Sequence, residues 1–304
     1  MPKEKDLRDR IESVKGTRKI TRAMGMIASS KIKKAQQRML EARPFISKVE
    51  DFICNLGLTG QVINDRLVKT RENEKNILIL GVTADKGLCG GYNSNIIELL
   101  EKNIRKFEKQ DKKVRLDIIG TRGKNYFSFR GFKLAKAYEH LSDWPKFMDA
   151  REISRAMISR YSVGEVDRVL VCYTKYISPM QHEPRTMQIL PIPIEQKLSE
   201  RESHVEAPGT FICRVEDLPS EFGYEPSLKE IIKAIIPEYI FTVVYGILLE
   251  STASEIGARM TAMRKASDNS DDLIKQLTRD YHKIRQHQIT NEIIEIISGA
   301  EINT

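Results

Sequence analysis

The stretch 75–110, KNILILGVTADKGLCGGYNSNIIELLEKNIRKFEKQ, decides the fold class of the central part of the chain. Its apolar start, 75–83, predicts a buried strand, and its end, 95–110, has the three- and four-residue spacing of an amphipathic helix. A glycine-rich loop joins the two. Strand, glycine loop and helix in this order are typical of the first unit of a parallel α/β sheet, and many proteins hold a phosphate at such a loop.

More strands and helices alternate after this unit, which favours a parallel or mostly parallel sheet in a Rossmann-like α/β domain. Two strands close together near the end of the region favour an additional antiparallel edge. The predicted strands are 113–120, 167–176 and 185–192, and the second predicted helix is 150–164. The polar segment that follows is predicted to be loops, with one possible short strand, TFICRV, at 210–215.

The glycine loop does not match a phosphate-binding motif. A P-loop requires GxxxxGK[ST], but Gly81 and Gly87 are wrongly spaced and Lys86 precedes its glycine. The dinucleotide fingerprint GxGxxG is also missing, because the glycines of 87–91 are spaced GxxGG. Asp85 adds a negative charge where a phosphate needs neutral or positive groups. We therefore expect a tight turn and a helix start capped near Asn93 or Ser94, although fold geometry alone leaves a small-molecule site open.

The sequence offers no recognisable catalytic or metal-binding constellation, so no cofactor is expected. The motifs HExxH, GxSxG and CxxC are absent, and His282 and His287 are five apart, a poor spacing for two ligands on one helical face. Neighbouring carboxylates such as Asp271 and Asp272 are interpreted as solvated helix charges. The four cysteines are interpreted as reduced thiols.

Both ends of the chain predict very long helices. Residues 5–58 lack an internal proline before Pro44, and Pro237 suits the first turn of a helix that continues to about 298. Both segments carry seams of small residues that suit close helix packing: Thr21, Ala28, Ala35 and Ala42 in the first, and Ala258, Ala262, Ala266 and Ser270 in the second. Apolar residues recur beside these seams, including Ile11, Met24, Ile32, Met263, Leu273, Leu277, Ile293 and Ile297.

Helices of this length favour an antiparallel coiled coil with each other. The predicted organisation is a coiled-coil helix at 1–60, a Rossmann-like domain at 75–195, loops and a short helix at 196–236, and a second coiled-coil helix at 237–304.

The basic charge of the chain is concentrated at its start. The net charge is +8, and residues 1–50 hold 14 Lys plus Arg against 6 Asp plus Glu, so the surplus of 14 − 6 = 8 lies entirely in this segment. Such a segment favours an acidic partner, which could be nucleic acid, anionic lipid or an acidic protein surface. No run is expected to reach the roughly 20 apolar residues of a membrane span. The start of the chain lacks an apolar signal core, so the default expectation is cytoplasmic.

Three segments together resemble one family. IESVKGTRKITRAMGMIASSKIKKAQ (11–36), TADKGLCGGYNSNI (83–96) and the long run from EIGARM to IISGA (255–300) are closely similar to the gamma subunit of F-type ATP synthases. In that family the terminal helices form the rotating shaft, or central stalk, inside a ring of alpha and beta subunits. The α/β body carries no nucleotide and contacts the epsilon-type subunit and the membrane c-subunit ring.

The resemblance implies a non-catalytic rotor that couples proton or sodium flow to ATP synthesis or hydrolysis. It implies a peripheral location on the cytoplasmic face of a bacterial cell membrane, with membrane association only through the complex. Met24 matches a methionine that faces an acidic lever loop of the beta subunit, and Arg259 matches a shaft arginine coupled to that region. Arg285, Gln286 and Thr290 match positions that meet the ring's catch loops.

Two other functions remain open from the residues alone. A nucleic-acid-binding coiled coil would use the basic first helix to contact phosphates, although no aromatic residue for base stacking occurs in 1–44. A nucleotide-dependent α/β enzyme would bind ATP or NAD. No partner nucleic acid and no cofactor are expected if the resemblance holds.

Overall fold

The computed structural model describes residues 4–58, 65–69, 71, 73–193 and 227–301. The chain divides into two compact units: residues 30–258 form one, and residues 1–29 with 259–304 form the other. We call them the body and the shaft unit, and describe each by itself. The short strand expected at 210–215 lies outside the described residues.

The body contains one five-stranded sheet with the order β3-β2-β1-β4-β5. The first four strands in this order are parallel, and β5 runs antiparallel to β4 at one edge, which confirms the mostly parallel sheet and its antiparallel edge. The strands are β1 (Asn76–Val82), β2 (Lys113–Ile119), β3 (Leu134–Tyr138), β4 (Arg168–Tyr176) and β5 (His182–Leu190).

Helices cover both faces of this sheet because the side chains of β1 alternate between two cores. Ile77 and Ile79 face a cluster with α2 and α3, whereas Leu78, Leu80 and Val82 face a cluster with α4 and the two terminal helices. The shorter helices are α2 (Tyr92–Glu108), α3 (Thr121–Phe129) and α4 (Phe147–Val163). The sequence interpretation missed α3 and β3, which are nine and five residues long.

The first terminal helix, α1 (Glu4–Leu58), continues through Pro44 without dividing. Its buried side chains, apart from Glu50, lie on two rows that follow a seven-residue repeat. The rows are Ile11, Arg18, Gly25, Ile32, Met39, Ile46 and Ile53, and Leu7, Val14, Thr21, Ala28, Ala35, Ala42 and Val49. A strict repeat of seven is the pattern of a left-handed coiled coil.

The second terminal helix, α5, extends from Leu228 to Glu301. The expectation that it begins at Pro237 is wrong. Ile232 and Ile236 are buried against the body core, and this packing holds the helical residues 228–236 before the proline in spite of the lost hydrogen bond. The seam expected at Leu273 is also shifted, since Leu273 is exposed and Ile274 is half-buried in its place.

Among the described residues one helix, α5, is long and apolar enough by composition to cross a membrane, contrary to expectation. Its most apolar window within Glu230–Ile294 has a mean hydropathy of 1.7, and 56% of that window is buried inside the protein. The core helix of a water-soluble protein passes the same test, and residues such as Ile240, Val244 and Leu248 fill the body core. Packing within the body therefore accounts for the apolar character of this stretch.

In the shaft unit α1 and α5 lie antiparallel, as expected. Tyr281 donates a hydrogen bond from its hydroxyl to Glu4 at 2.8 Å, and Arg18 donates to Asp271 at 2.5 Å. A Cβ placed on Gly25 would lie 3.6 Å from the Cβ of Met263. As residue numbers rise along α1, those of the contacting residues fall along α5, which is the geometry of an antiparallel pair.

Candidate functional site

The carboxyl edge of the sheet, where a nucleotide would bind in a doubly wound fold, is occupied by the side chain of Asp85. Its Oδ1 accepts hydrogen bonds from the amides of Thr121 and His140 and from the Thr121 hydroxyl, at 3.0 to 3.1 Å. Its Oδ2 accepts from the Ser142 amide at 3.1 Å. Burial by itself would raise the pKa of Asp85, but the Ser142, His140 and Thr121 donors outweigh burial and lower the pKa.

Asp85 thus supplies the negative charge at the start of α3 that a bound phosphate would supply in a nucleotide-binding protein. Two glycines let α3 approach this edge closely. A Cβ on Gly120 would lie 2.2 Å from the carbonyl oxygen of Thr83, and one on Gly123 would lie 2.6 Å from the Thr83 hydroxyl oxygen. Gly120 has a φ of +97°, which also favours glycine.

The glycine loop itself is a turn tied down by Asn93, but the expected helix cap is wrong. Gly91 is the N-cap of α2, and no side chain caps it. Asn93 lies inside the helix, where its Oδ1 accepts a hydrogen bond from the amide of Ala84 at 2.9 Å. Its amide nitrogen donates to the sulfur of Cys89 at 3.1 Å. The loop is therefore closed on itself by side-chain contacts.

The same edge of the sheet holds α5. Thr252 donates its hydroxyl hydrogen to the carbonyl oxygen of Ser142 at 2.9 Å, and Ser254 donates to the carbonyl oxygen of Thr174 at 3.2 Å. At Gly257 a Cβ would lie 2.8 Å from the carbonyl oxygen of Pro179. Loops that follow β3 and β4 therefore contact one short, fully buried part of α5.

Helix α1 is held at this edge through two side chains. Gln36 donates to the hydroxyl of Tyr176 at 2.5 Å. Arg38 donates to the carbonyl oxygen of Pro145 at 2.7 Å, and its guanidinium lies 4.2 Å from the centre of the Trp144 ring. We call these contacts of α1 and α5 with the loops after β3 and β4, and with the end of β4, the helix grip. Sequence patterns gave no sign of it, since its hydroxyls and loop carbonyls match no motif.

The sequence-predicted site residues lie in the shaft unit at two levels. Met24 and Arg259 are half-buried, and because Gly25 lies opposite Met263 they are within about 8 Å of each other along the axis. Arg285, Gln286 and Thr290 are exposed, and they begin 26 residues after Arg259, which is about 40 Å along α5. The placement of these three residues indicates no chemical reaction by itself. It makes them part of an exposed polar surface of α5.

The surface of α1 is strongly cationic. Residues 13–40 carry eight Lys plus Arg and neither Asp nor Glu. Six of the eight cations are exposed: Lys15, Lys19, Arg22, Lys31, Lys33 and Lys34. Exposed apolar side chains lie among them, with Ile20, Met26 and Ile27 each about 60% exposed. Such a surface fits an acidic protein partner with apolar patches of its own.

Two charged side chains that the sequence analysis interprets as solvated, Asp271 and Asp272, lie beside cations in the structure. Asp271 contacts Arg18, so its interpretation as a plain solvated charge is wrong, whereas Asp272 remains exposed beside Lys275. Within the described parts of the chain no three His, Cys, Asp or Glu side chains are grouped as a metal site would require. Cys89 and Cys172 are buried, reduced thiols, and burial raises the pKa of Cys172 to about 11.

Comparison with known proteins identifies the family. A family profile described as ATP synthase matches residues 3–302. The ATP synthase gamma chain of Halothermothrix orenii is 35% identical over 298 residues, which are 98% of each chain. The ATP synthase gamma chain of Chlorobaculum parvum is 36% identical over 304 residues, which are 99% of each chain. The chain belongs to the ATP synthase gamma-chain family.

Solved structures agree with this assignment of a gamma chain. A chain from the Tetrahymena thermophila mitochondrial ATP synthase, in a structure of its central stalk and c-ring, is 25% identical, with a TM-score of 0.59 and coverage of 82% of this chain and 99% of that one. A chain of the Euglena gracilis enzyme has the same fold at 17% identity, with a TM-score of 0.65 and coverage of 97% and 92%. As a gamma chain, the protein is a central-stalk subunit of an F-type ATP synthase. These relatives do not support the nucleic-acid-binding alternative.

Proposed function

We propose that this gamma chain is the rotor that couples ion flow across a membrane to ATP synthesis or hydrolysis in a ring of alpha and beta subunits, without being catalytic itself. The observation that carries the proposal is the exposed cationic surface of residues 13–40, which hold neither Asp nor Glu, on a helix that pairs with α5. In the family that this sequence resembles, the lever loops of the beta subunits that face the first helix are acidic.

Weak contacts suit such a rotor. Exposed ion pairs each contribute about 0–1 kcal/mol, so the shaft can leave every contact that it makes during rotation. The apolar seam holds α1 to α5, while the polar outside slides past the ring. A shaft that is asymmetric about its axis contacts three chemically identical beta subunits differently. Each subunit is then held in a different state of nucleotide affinity, by population shift.

The proposed partners are the alpha and beta subunits, an epsilon-type subunit and the membrane c-subunit ring, with no nucleic acid. The transported ion is a proton or sodium. The proposed location is peripheral, at the cytoplasmic face of a bacterial cell membrane, through the complex alone. Met24 and Arg259 would face the beta lever loops, and Arg285, Gln286 and Thr290 would meet the catch loops of the ring.

The direct test is reconstitution. Alpha and beta subunits of the same enzyme would be assembled with and without the full-length chain, and their ATPase activity measured. We expect a stable complex and strong activation by the chain. If the chain neither joins the ring nor changes ATP turnover, the proposed function is wrong.

Met24→Lys tests the proposed placement of Met24. The variant adds a cation beside an acidic loop, and this attraction must be broken at each step of rotation. We expect ATP hydrolysis to remain near the parent rate while ATP-driven ion pumping in vesicles falls severalfold, as one new ion pair of about 1 kcal/mol would produce.

Met24→Leu is the matched control, because it keeps the size and apolar character of the side chain. It should leave both hydrolysis and pumping near the parent values. Equal losses of hydrolysis and pumping in Met24→Lys, or a loss of neither, would contradict the placement.

A further inference from the structure

A second cationic surface lies on the body, along the outer side of α2 and at the end of α3. Residues 102–136 hold 12 Lys plus Arg against three Asp plus Glu, a surplus of 12 − 3 = 9. The chain after residue 50 is neutral as a whole, so this local surplus does not show in the overall charge. We call the surface formed by six exposed cations the α2–α3 face: Lys102, Arg105, Lys106, Lys109, Arg130 and Lys133.

Shared contacts join the two helices into one surface. Glu101 of α2 accepts hydrogen bonds from Arg105 of the same helix at 3.1 Å and from the Tyr126 hydroxyl of α3 at 2.8 Å. Arg130 lies 3.9 Å from the same carboxylate and donates to the Tyr126 hydroxyl at 3.2 Å. A groove along α2 is lined by two acids and four cations: Glu98, Glu101, Lys102, Arg105, Lys106 and Lys109. Cations therefore remain in excess on the face.

Two phenylalanines lie beside these cations. Phe129, the last residue of α3, is 92% exposed, and Phe132 is 36% exposed. The ring of Phe132 packs edge-on against the buried ring of Phe127, with ring centres 5.3 Å apart, and this contact holds the turn after α3 against the body. An exposed phenylalanine by itself needs no explanation. Next to several cations, it gives the face the composition of a protein surface that binds at a membrane interface.

The helix dipole explains only part of this charge. Arg105 and Lys106 lie in the last turn of α2, where cations stabilise a helix end. Lys102 lies six residues before the end of α2, and Lys133 lies beyond the end of α3, so the dipole requires neither of them. Four of the six cations are lysines, which are point charges on flexible stems. They suit a fluid array of phosphate headgroups better than the fixed carboxylates of a protein partner.

We propose that the α2–α3 face binds the anionic headgroups of a lipid surface, with the ring of Phe129 inserted among them. Because α2 leads from β1 to the parallel strand β2, it ends at the amino edge of the sheet, opposite the helix grip. The complex brings the chain to the membrane, which rests on the proposed rotor function. The face then makes a weak and reversible contact that a rotating body can leave.

Tryptophan fluorescence tests this proposal in the full-length chain. Trp144 is the sole tryptophan and lies in the helix grip, so Phe129→Trp combined with Trp144→Phe moves the reporter to the proposed contact. Vesicles of phosphatidylcholine and phosphatidylglycerol in equal amounts, with brominated acyl chains, quench a ring that enters the bilayer. We expect quenching of the reporter at position 129 and no quenching of Trp144 in the parent. Vesicles of brominated phosphatidylcholine alone should quench neither.

Lys102→Gln with Lys106→Gln, in the reporter chain, should lower the vesicle affinity measured at position 129 about fivefold for each lysine removed. This effect should shrink as salt is raised, since salt screens the headgroup charge. Lys15→Gln with Lys19→Gln is the matched control, because it removes the same charge from exposed cations of α1. The control should not lower quenching at position 129.

Phe129→Ala tests the inserted ring separately. The side chain is almost fully exposed, so the variant should fold like the parent. Its co-sedimentation with the same vesicles should be severalfold weaker, because no ring enters the bilayer. Co-sedimentation equal to that of the parent would contradict the insertion of Phe129.

Absence of quenching at position 129 with the phosphatidylglycerol vesicles would overturn the proposal, and so would an equal loss in the α1 control. Shielding of this reporter from acrylamide by assembly with the other subunits, without quenching by vesicles, would also overturn it and make the face a protein interface. Failure of the unmodified chain to activate the alpha and beta subunits would count against the rotor function only, because vesicle binding is measured without the ring.

Discussion

At the scale of single residues, the carboxylate of Asp85 shows how this α/β body differs from a nucleotide-binding domain. Four donors from Thr121, His140 and Ser142 point at its two oxygens. The edge that would bind an external anion is thus satisfied from within the chain. This arrangement makes Asp85 a residue for stability rather than for ligand binding.

Asp85→Asn should lower the free energy of unfolding at pH 7 by about 1–3 kcal/mol, because one amide oxygen cannot accept all four bonds and the new NH₂ group would face a donor. The folded pKa of Asp85 lies below its ordinary value of 3.8. Its stabilising contribution is therefore complete above that value and is lost as the pH falls through the lower folded pKa. Urea unfolding from pH 7 to pH 3 should show the difference between variant and parent shrinking below pH 4.

Asp272→Asn, at an exposed carboxylate, is the control and should track the parent at every pH. A constant difference between Asp85→Asn and the parent across this range would exclude the charged carboxylate as the cause.

Gly120 and Gly131 allow two costs of substituting a glycine to be measured separately: the cost of an unusual backbone conformation and the cost of close contact with a neighbouring backbone atom. Both have a positive φ, +97° and +79°, but only Gly120 would bring a Cβ against backbone, 2.2 Å from the Thr83 oxygen. Gly131→Ala should cost about 1–2 kcal/mol for the left-handed conformation alone, and Gly120→Ala about 1–3 kcal/mol more because the chain must move. Thermal unfolding of the two variants measures this difference, and equal melting temperatures would contradict it.

At the scale of elements, each of the two terminal helices contains glycines. Replacing such a glycine by alanine would raise the intrinsic helix propensity at that position. Gly16 has nothing within 4 Å of its added Cβ, whereas the Cβ at Gly257 would lie 2.8 Å from the carbonyl oxygen of Pro179. Intrinsic helix propensity predicts the same gain in stability at Gly16 and at Gly257. The contact of α5 with the loop after β4 distinguishes them.

Gly16→Ala should therefore raise the free energy of unfolding by up to about 1 kcal/mol, and Gly257→Ala should lower it by about 1–3 kcal/mol. Chemical denaturation followed by circular dichroism gives both values. A stabilising Gly257→Ala would show that α5 can withdraw from that loop without loss, and the helix grip would not be tight.

At the scale of the whole molecule, the body uses the carboxyl edge of its sheet to hold helices instead of a ligand. In this grip Arg38 of α1 contacts the loop after β3 twice, at the Pro145 carbonyl oxygen and at the Trp144 ring, and it also donates to the Tyr245 hydroxyl of α5. Trp144 is the sole tryptophan of the chain and is 49% exposed. Its fluorescence therefore reports on the grip without any label.

Arg38→Ala should increase quenching of Trp144 fluorescence by acrylamide, because the guanidinium no longer covers the ring. The lost hydrogen bond and cation–π contact should together cost about 1–2 kcal/mol in the free energy of unfolding. Lys33→Ala, at an exposed cation on the same helix, should change neither quantity. If quenching is the same in parent and Arg38→Ala, the contact with Trp144 does not persist in solution.

The sequence by itself determined the elements with strong local periodicity. The apolar run of β1, the three- and four-residue spacing of α2 and the small-residue seam of α1 were predicted to within a few residues. Such patterns suffice because each residue's place depends on neighbours close in the chain. The family was also evident from sequence, since three separate segments carry its motifs.

Tertiary structure decided the rest. α5 begins before Pro237 because the body core buries Ile232 and Ile236, and β3 forms because its neighbour β2 supplies hydrogen bonds to a short, half-exposed segment. Asp85, the helix grip and the Arg18–Asp271 pair each join residues far apart in the chain. No local pattern encodes such a contact, because it depends on which surfaces the fold brings together.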